Sequence, residues 1–325
     1  MKVLIVGLGS IGMRHGRNFE DLDCQIVAGV DPDQSRRERF AQTFPGRAFG
    51  DLEEALDTQP DLVVIASPSV FHVAQATTCV ARGTHLLIEK PLGPAMNGVP
   101  ELIHAIEESG VFAHVGSNWK FHPALLTLKR LIDEGVPGPV ASAQVLAGQW
   151  LPDWHPWEDY RKGYSARVDL GGGVVLDSHE FDCITWLLGP IAELVGLVAR
   201  SDALETESES VACACVRFES GALASVHVDY IQRDYRRRYL VAGPAGTVEW
   251  DYSTALITVY RAPENAGDPP IRETIDVSLE DLNEMYIAQA RHVIDGVHGR
   301  CPPVTSVSAA AAVLTSQLLL RGLNV

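Results

Sequence analysis

The feature that most constrains this chain is a run of three glycines, Gly7, Gly9 and Gly12, spaced G-x-G-x-x-G directly after a short apolar stretch at 2–6. In a strand-to-helix turn each position has its own mechanical requirement. Gly7 permits the tight turn, Gly9 leaves room for a pyrophosphate to reach the backbone, and Gly12 lets the helix pack close to the strand. Ser10 and Ile11 open that helix, whose first N–H groups are offered to the phosphates. Nineteen residues beyond Gly12, a second apolar stretch at 25–30 ends on Asp31. A carboxylate there can take both hydroxyls of an adenosine ribose and repels a 2′-phosphate, so the pattern predicts a dinucleotide site for NAD rather than NADP. Ser35, Arg36 and Arg37 follow. They read either as a phosphate cradle or as the solvated first turn of a helix, and Asp31 favours NAD over the cradle.

The rest of the first third alternates expected strands (62–66, 85–88, 112–115) with expected helices (11–21, 34–43, 70–82, 101–109). This predicts an α/β domain with a doubly wound parallel sheet, in which ligands sit beyond the carboxyl ends of the strands. From about residue 121 the texture changes. A helix at 123–134 leads into a β-rich run at 140–151. After Gly189 the chain reads mostly as strands, at 191–200, 211–218, 222–230, 238–242, 247–250 and 255–260. Short turns between them imply an antiparallel sheet. Residues 262–270 read as a surface loop, and 282–297 and 307–320 as closing helices. The expected domains are therefore 1–120, dinucleotide-binding, and 121–325, an α+β domain for substrate and oligomerisation.

Lys plus Arg total 26 against 42 Asp plus Glu, a net charge of −16. That excess of acid argues against nucleic acid and anionic membrane as partners. No apolar run approaches the length of a membrane span, and the opening residues read at once as a strand rather than a leader. The six cysteines (Cys24, Cys79, Cys183, Cys213, Cys215, Cys301) form no C-x-x-C, and read as reduced core residues of a cytoplasmic protein. Cys213 and Cys215 alternate within one strand and should face the same side. His155 and His179 lack a partner at zinc spacing, so no metal is expected.

Three further segments carry chemistry. Ser67, Pro68 and His72 follow the third long strand, and Glu89-Lys90-Pro91 follows the next. The third segment runs Gly171-Gly172-Gly173, Asp177, His179, Glu180, Asp182 and then Trp186-Leu187-Leu188-Gly189. Together with the glycine fingerprint, this set resembles the Gfo/Idh/MocA (glucose–fructose oxidoreductase and inositol dehydrogenase) family over nearly the whole chain. The resemblance implies a Rossmann domain joined to a domain with an open, largely antiparallel sheet, and NAD-dependent oxidation or reduction of a ring hydroxyl. It implies that Lys90 sits at the reacting oxygen and that His179 is the general base or acid. The strand-end residues Ser67, Pro68, His72, Glu89, Lys90 and Asn118 should then face the cofactor.

The chemistry agrees. Oxidising a secondary alcohol requires its O–H proton to leave, and histidine can take it near neutral pH. A lysine ammonium can hold the oxygen as negative charge develops. Asp177 with Glu180 also reads as a capping box, Asp177 at the N-cap. A histidine in that first turn feels the positive helix end, which favours its neutral form. Family members commonly space the aspartate four residues before the histidine. Here it is two, which leaves Asp177 open between catalysis and capping.

Asn118, Lys120 and His122 stand where the family crosses between domains, as candidates for nicotinamide or substrate contact or for packing. Trp154, Tyr160 and Arg161, in the segment that also holds His155, Trp157 and Glu158, offer flat aromatic faces for sugar rings and a cation for an anionic group; the alternative is an aromatic loop buried between subunits. Arg233, Arg236, Arg237 and Arg238 could meet a nucleotide-sugar phosphate, although strand alternation places only some on one face. The function expected is an NAD-dependent dehydrogenase of a sugar, amino sugar or nucleotide sugar. A cyclitol dehydrogenase is the alternative, and a catalytically silent cofactor sensor is the alternative of another class, which Lys90 and His179 argue against. Val211, Ala214 and Val216 do not share one side, so the second sheet reads as apolar on both faces. A second copy's sheet is the expected cover, giving a homodimer or homotetramer.

Overall fold

The computed structural model describes all residues except 155, 157, 158, 264, 266, 267, 270 and 323–325. The chain divides into two compact units, Met1–Asn118 with Asn283–Leu314, and Trp119–Leu282 with Thr315–Val325.

The first unit alternates β1 (Lys2–Val6), α1 (Ser10–Glu20), β2 (Gln25–Val30), α2 (Gln34–Thr43), β3 (Arg47–Phe49), α3 (Leu52–Leu56), β4 (Leu62–Ile65), α4 (His72–Ala81), β5 (His85–Glu89), α5 (Val99–Ser109) and β6 (Ala113–Gly116). Its six strands are parallel and ordered β3-β2-β1-β4-β5-β6, the doubly wound dinucleotide-binding order. The central strands are buried along their length, Leu62 to Ile65 without exception. This is why they read as continuous apolar runs instead of alternating. β3 gives no sequence signal, because three residues are too few to show a period.

The second unit holds α6 (Pro123–Asp133), β7 (Ser142–Gly148), α7 (Val174–Asp177), α8 (Glu180–Leu188), β8 (Ile191–Ala199), β9 (Val211–Phe218), β10 (Leu223–Asp229), β11 (Arg236–Gly243), β12 (Gly246–Asp251), β13 (Leu256–Arg261) and β14 (Ile271–Asp276). The eight strands run β14-β13-β12-β11-β7-β10-β9-β8. All neighbours are antiparallel except β7 and β10. β14 is not legible in the sequence because its residues are mostly exposed. Four residues of the loop read at 262–270 lie outside the described residues. Inward residues Ala212, Ala214, Val216 and Phe218 alternate with outward Cys213, Cys215 and Arg217. The expectation of two apolar faces is therefore corrected for β9 and β10. Ala214 and Val216 share the inner face, and the outer face carries Cys, Arg, Ser and His. Outward apolar exposure lies instead at Val195 and Leu197 of the edge strand β8 and at Leu223. The reading of all cysteines as core is corrected likewise, since Cys24, Cys79 and Cys183 are buried but Cys213 and Cys215 are exposed.

The first boundary falls at 118/119, beside the expected 120/121, but the second part of the chain is not one continuous unit. α9 (Asn283–Val297) returns to the first unit, where Ala290 and Val293 enter the core beside Phe19 and Leu62. Asn283 exchanges amide hydrogen bonds with Asn18 of α1 at 2.9 and 3.2 Å. The last helix, α10 (Val307–Leu320), contributes Gln317 to the second unit, where its amide donates to the Val175 carbonyl. Among the described residues no helix is long and apolar enough to cross a membrane.

Candidate active site

The first unit supplies a glycine turn. A Cβ on Gly12 would lie 1.8 Å from the Gly7 carbonyl oxygen, so only glycine lets α1 approach β1 this closely. A Cβ on Gly9 would meet nothing within 4 Å, which leaves open space at the mouth of the turn. Gly9 is also the N-cap of α1 and gives no side-chain cap, so the first-turn N–H groups at Ser10 and Ile11 have no intrahelical partner. Asp31 is buried at the end of β2. Its Oδ2 accepts from the Leu8 N–H at 2.9 Å, and its Oδ1 from that of Asp33 at 2.9 Å. The carboxylate thus ties the glycine turn to the β2 end while keeping lone pairs to spare. Open space over unpaired N–H groups, with a carboxylate one strand away, fits the pyrophosphate and ribose of NAD. Ser35 and Arg36 donate backbone N–H groups to Asp33, and Arg37 donates to the Asp31 and Pro32 carbonyls. These three residues form the helix start, and the Arg36 guanidinium also reaches Asp31 Oδ2 at 3.4 Å.

The neighbouring strand ends are bracketed together. His72 is buried, with Nδ1 2.9 Å from the Pro91 carbonyl oxygen and Nε2 2.8 Å from that of Ser67. Burial pushes its pKa down and outweighs the two carbonyls that favour the cation. His72 therefore sits between the 67–72 and 90–91 segments, and its neutral ring donates to one of the two carbonyls. Ser67 Oγ donates to Gln75 Oε1 at 2.7 Å, and Pro68 precedes the short turn at Ser69–Phe71. At the end of β5, Glu89 Oε1 lies 2.7 Å from His15 Nε2 of α1, and Glu89 Oε2 accepts the Lys90 backbone N–H at 3.2 Å. Burial opposes ionisation of Glu89, but the bond from His15 and the charges of His15 and Lys90 outweigh it and hold the carboxyl below its usual range. Lys90 follows β5 directly, joined to Pro91 by a cis peptide, and Asn118 is buried at the unit's end.

The second unit supplies a helix start. His179 occupies the N-cap position of α8, and its carbonyl accepts from Cys183 N at 2.8 Å. The expected capping box is corrected. Asp177 closes the preceding short helix α7, and its Oδ2 accepts from Ser165 Oγ at 2.6 Å and Tyr230 Oη at 2.9 Å. Burial, then the Asp177 charge, push the Tyr230 phenol well up. Glu180 is the first residue of α8 and turns inward to Arg237, with Oε1 2.9 Å from Nε. Asp182 pairs with buried Lys120 at 2.7 Å. Gly173 at φ +122 completes the reversal before α7, and a Cβ there would lie 2.3 Å from Glu209 Oε1.

Other candidates take structural partners. His122 is the N-cap of α6, with Nδ1 accepting from Ala124 N at 3.0 Å. It stacks on Trp119, whose ring centroid is 6.4 Å from that of His179. Trp154 packs edge-on to Tyr230 at 5.4 Å. Tyr160 Oη accepts from Glu205 N at 3.1 Å. Arg161 reaches Asp159 at 2.7 Å and Glu205 at 3.5 Å, so two acids already meet its charge. His155, Trp157 and Glu158 lie outside the described residues. Arg236, Arg237 and Arg238 each face a carboxylate, Asp234, Glu180 and Glu249 respectively. Arg233 stacks on Trp150 at 3.6 Å. Trp119, whose ring lies beneath Arg237 and beside His179, is a site neighbour that the sequence does not reveal. Its neighbours in the chain draw attention by their charge, and an indole shows no such signal.

Residues 1–117 match the model of the Gfo/Idh/MocA oxidoreductase family, NAD-binding Rossmann fold, and residues 125–249 match a C-terminal domain model of the same family. The chain belongs to the Gfo/Idh/MocA family. Its first unit is that family's NAD-binding domain. Similar curated proteins include a myo-inositol 2-dehydrogenase of Thermotoga maritima, 25% identical over 94% of this chain and 91% of that protein. A UDP-N-acetylglucosamine 3-dehydrogenase of Acidithiobacillus ferrooxidans is 24% identical over 96% and 97%. A 1-carboxy-3-chloro-3,4-dihydroxycyclohexa-1,5-diene dehydrogenase of Comamonas testosteroni is 30% identical over 70% of this chain, and the match spans 57% of that protein. Among solved structures, a levoglucosan dehydrogenase in complex with NADH and levoglucosan aligns with TM-score 0.87 at 16% identity, covering 99% and 96% of the two chains. At that identity the likeness concerns the fold.

Proposed function

We propose that this protein is an NAD-dependent dehydrogenase acting on a ring secondary hydroxyl, or the corresponding ketone, of a sugar, amino sugar or nucleotide sugar. The observation that carries the reading is the pair of groups the reaction needs, each at an element boundary of a family member: Lys90 directly after β5 and His179 at the start of α8. Gly7, Gly9, Ser10, Ile11 and Gly12 cradle the pyrophosphate, and Asp31 takes the adenosine ribose. Bound NAD supplies the acceptor for the substrate's hydride. His179 takes the hydroxyl proton, since an imidazole can accept a proton near neutral pH. The Lys90 ammonium holds the oxygen as charge develops on it. Glu89, fixed by His15 on one oxygen and by the Lys90 N–H on the other, sets the backbone from which Lys90 departs.

The Asp177 carboxylate serves structure in this reading, because Ser165 and Tyr230 occupy it. Lys120 acts through Asp182, one turn along α8 from His179. A cyclitol substrate is the second reading, favoured by the near full-length match to a myo-inositol dehydrogenase. A panel of free sugars, amino sugars, nucleotide sugars and inositols, each with NAD, decides by the rate of NAD reduction. Turnover confined to inositols would replace the first reading with the second, and none with any ring alcohol would sink both. The proposed assembly is a homodimer or homotetramer through the outer face of the second unit's sheet, at the exposed strip of Val195, Leu197 and Leu223. Light scattering that gives a 35.3 kDa monomer at micromolar concentration would rule it out. The proposed compartment is the cytoplasm, where the cysteines stay reduced.

A further inference from the structure

Within the second unit, three side chains remote from His179 in sequence converge on the turn that leads to it. Gln317 of α10 is buried, and its Nε2 donates to the Val175 carbonyl at 2.5 Å. Four residues on, and so on the same helix face, Arg321 Nη2 donates to the Gly172 carbonyl at 3.3 Å. The same nitrogen lies 3.1 Å from Glu209 Oε2 in an ion pair whose side chains are 11% and 9% exposed. The other Glu209 oxygen, Oε1, accepts the Val175 N–H at 3.3 Å, and the Glu209 carbonyl accepts that of Val174 at 3.1 Å. The path from here to His179 is short and hydrogen-bonded. The Asp177 N–H donates to the Gly173 carbonyl at 2.9 Å and the Ser178 N–H to that of Val174 at 3.1 Å. Ser178 Oγ donates to the Val175 carbonyl at 3.2 Å, the carbonyl that Gln317 also holds. α7 has only four residues. A single turn is not stable by itself, so its place is set by the groups that bond to it from outside.

We propose that Arg321 is a positioning residue for His179, acting with Glu209 and Gln317 through α7. The inference rests on the dehydrogenase reading, in which His179 takes the substrate's proton, and adds the device that sets where its imidazole stands. Arg321 joins an acid and a carbonyl that lie on the two sides of the glycine turn. The three glycines at 171–173 present only backbone there, and a side chain at 173 would occupy the space of the Glu209 carboxylate. Burial pushes the Glu209 carboxyl up, and the Arg321 charge is the first influence that opposes it. Without the guanidinium the protonated carboxyl is favoured, a weaker acceptor for the Val175 N–H. The start of α7 is then free to shift, and Ser178 and His179 shift with it.

The test follows deuterium uptake at the imidazole C2–H of each histidine in the full-length protein, read by mass spectrometry. That rate depends on the ring's pKa and surroundings. In Arg321→Ala and in Gln317→Ala the His179 rate should differ from wild type by at least ~3-fold, since the ring's neighbours change. His104, exposed on the first unit, should be unchanged in both. Arg321→Lys keeps a cation opposite Glu209 and should return the His179 rate towards wild type. On a ring alcohol that the protein turns over, Arg321→Ala should lower kcat ~10-fold or more, because a displaced catalytic group is costly. The KM for NAD should not change, which a general loss of fold would not give. An unchanged His179 rate in the folded alanine variants would overturn the proposal, as would a wild-type kcat in Arg321→Ala or no recovery in Arg321→Lys. Should Arg321→Ala fail to fold, Gln317→Ala decides by the same rate. If no ring alcohol is turned over, the dehydrogenase reading falls, and the exchange rates still decide whether Arg321 and Gln317 hold His179 in place.

Discussion

Arg237 of β11 and Glu180 of α8 form a buried ion pair, with Nε 2.9 Å from Oε1 and the side chains 9% and 1% exposed. The contact is close but poorly aligned, and neither group completes a hydrogen bond within it. The guanidinium also lies 3.5 Å over the Trp119 ring. Burial works against the arginine's charge, but Glu180, then Tyr235 and Tyr239, together outweigh it and raise the pKa. Removing one partner strands the other's charge in the core. Glu180→Ala and Arg237→Ala should therefore each cost about 3–5 kcal/mol in urea denaturation. The double variant Glu180→Leu/Arg237→Met should cost less than either, because no charge is left uncompensated. A double variant as unstable as the worse single one would mean that packing, not charge, is at stake.

Asp31 holds the Leu8 N–H and, in the proposed reading, takes the ribose of the cofactor. Asp31→Asn keeps an oxygen for Leu8 and removes the charge that repels a 2′-phosphate. The variant should stay folded and narrow the preference for NAD over NADP, measured by fluorescence titration of both cofactors. A wild type that binds NADP as tightly as NAD would contradict the assignment.

Lys90→Ala and His179→Ala should each lower turnover by ~10²–10⁴-fold with NAD affinity little changed. Steady-state rates alongside NAD titration separate the two effects. Near-normal turnover of the His179 variant at pH 7 would assign the proton transfer to another group.

Asp177→Asn tests the aspartate whose spacing leaves its role open. With Ser165 and Tyr230 already on its Oδ2, the change should cost about 1–3 kcal/mol of stability. Turnover of the folded protein should stay close to wild type. A loss of turnover at unchanged stability would make Asp177 a chemical group.

The first unit was legible because its signals are local. The glycines, Asp31 and the apolar runs each declare a strand or turn within ten residues, and the structure places them there. The return of α9 was not legible, since Ala290 and Val293 meet the first unit's core after an excursion of more than a hundred residues. The Asp177–Glu180 reading failed for a related reason. A capping box and a buried ion pair use the same residue types, and only the position of Arg237 on a distant strand turns Glu180 inward. By their place in the chain Lys120 and His122 are open between ligand contact and packing. Lys120 finds its partner in Asp182, far along the chain, whereas His122 caps α6 locally through the Ala124 N–H.

His122 sets an acid limit on the second unit. It caps α6 through an unprotonated Nδ1 and stacks between Trp119 and Trp250. Burial, then the Arg237 charge, push its pKa down to about 4. The unfolded chain takes up this proton near the ordinary histidine value of about 6.5, and the folded chain only well below it. In that interval the unfolded state binds more protons, so stability rises with pH across it and falls as the solution is acidified from about 6.5 towards 4. The ceiling on the loss is about 3 kcal/mol, since each pH unit between the two values contributes about 1.4 kcal/mol. His122→Asn keeps a capping oxygen and removes the titration. Urea denaturation at several pH values should show wild type losing stability between pH 6.5 and 4 and His122→Asn losing clearly less. His72, also buried with a lowered pKa, leaves a residual slope in both proteins. Parallel pH profiles for the two would show that His122 takes up its proton alike in the folded and unfolded chain, and that burial between Trp119 and Trp250 does not keep it neutral.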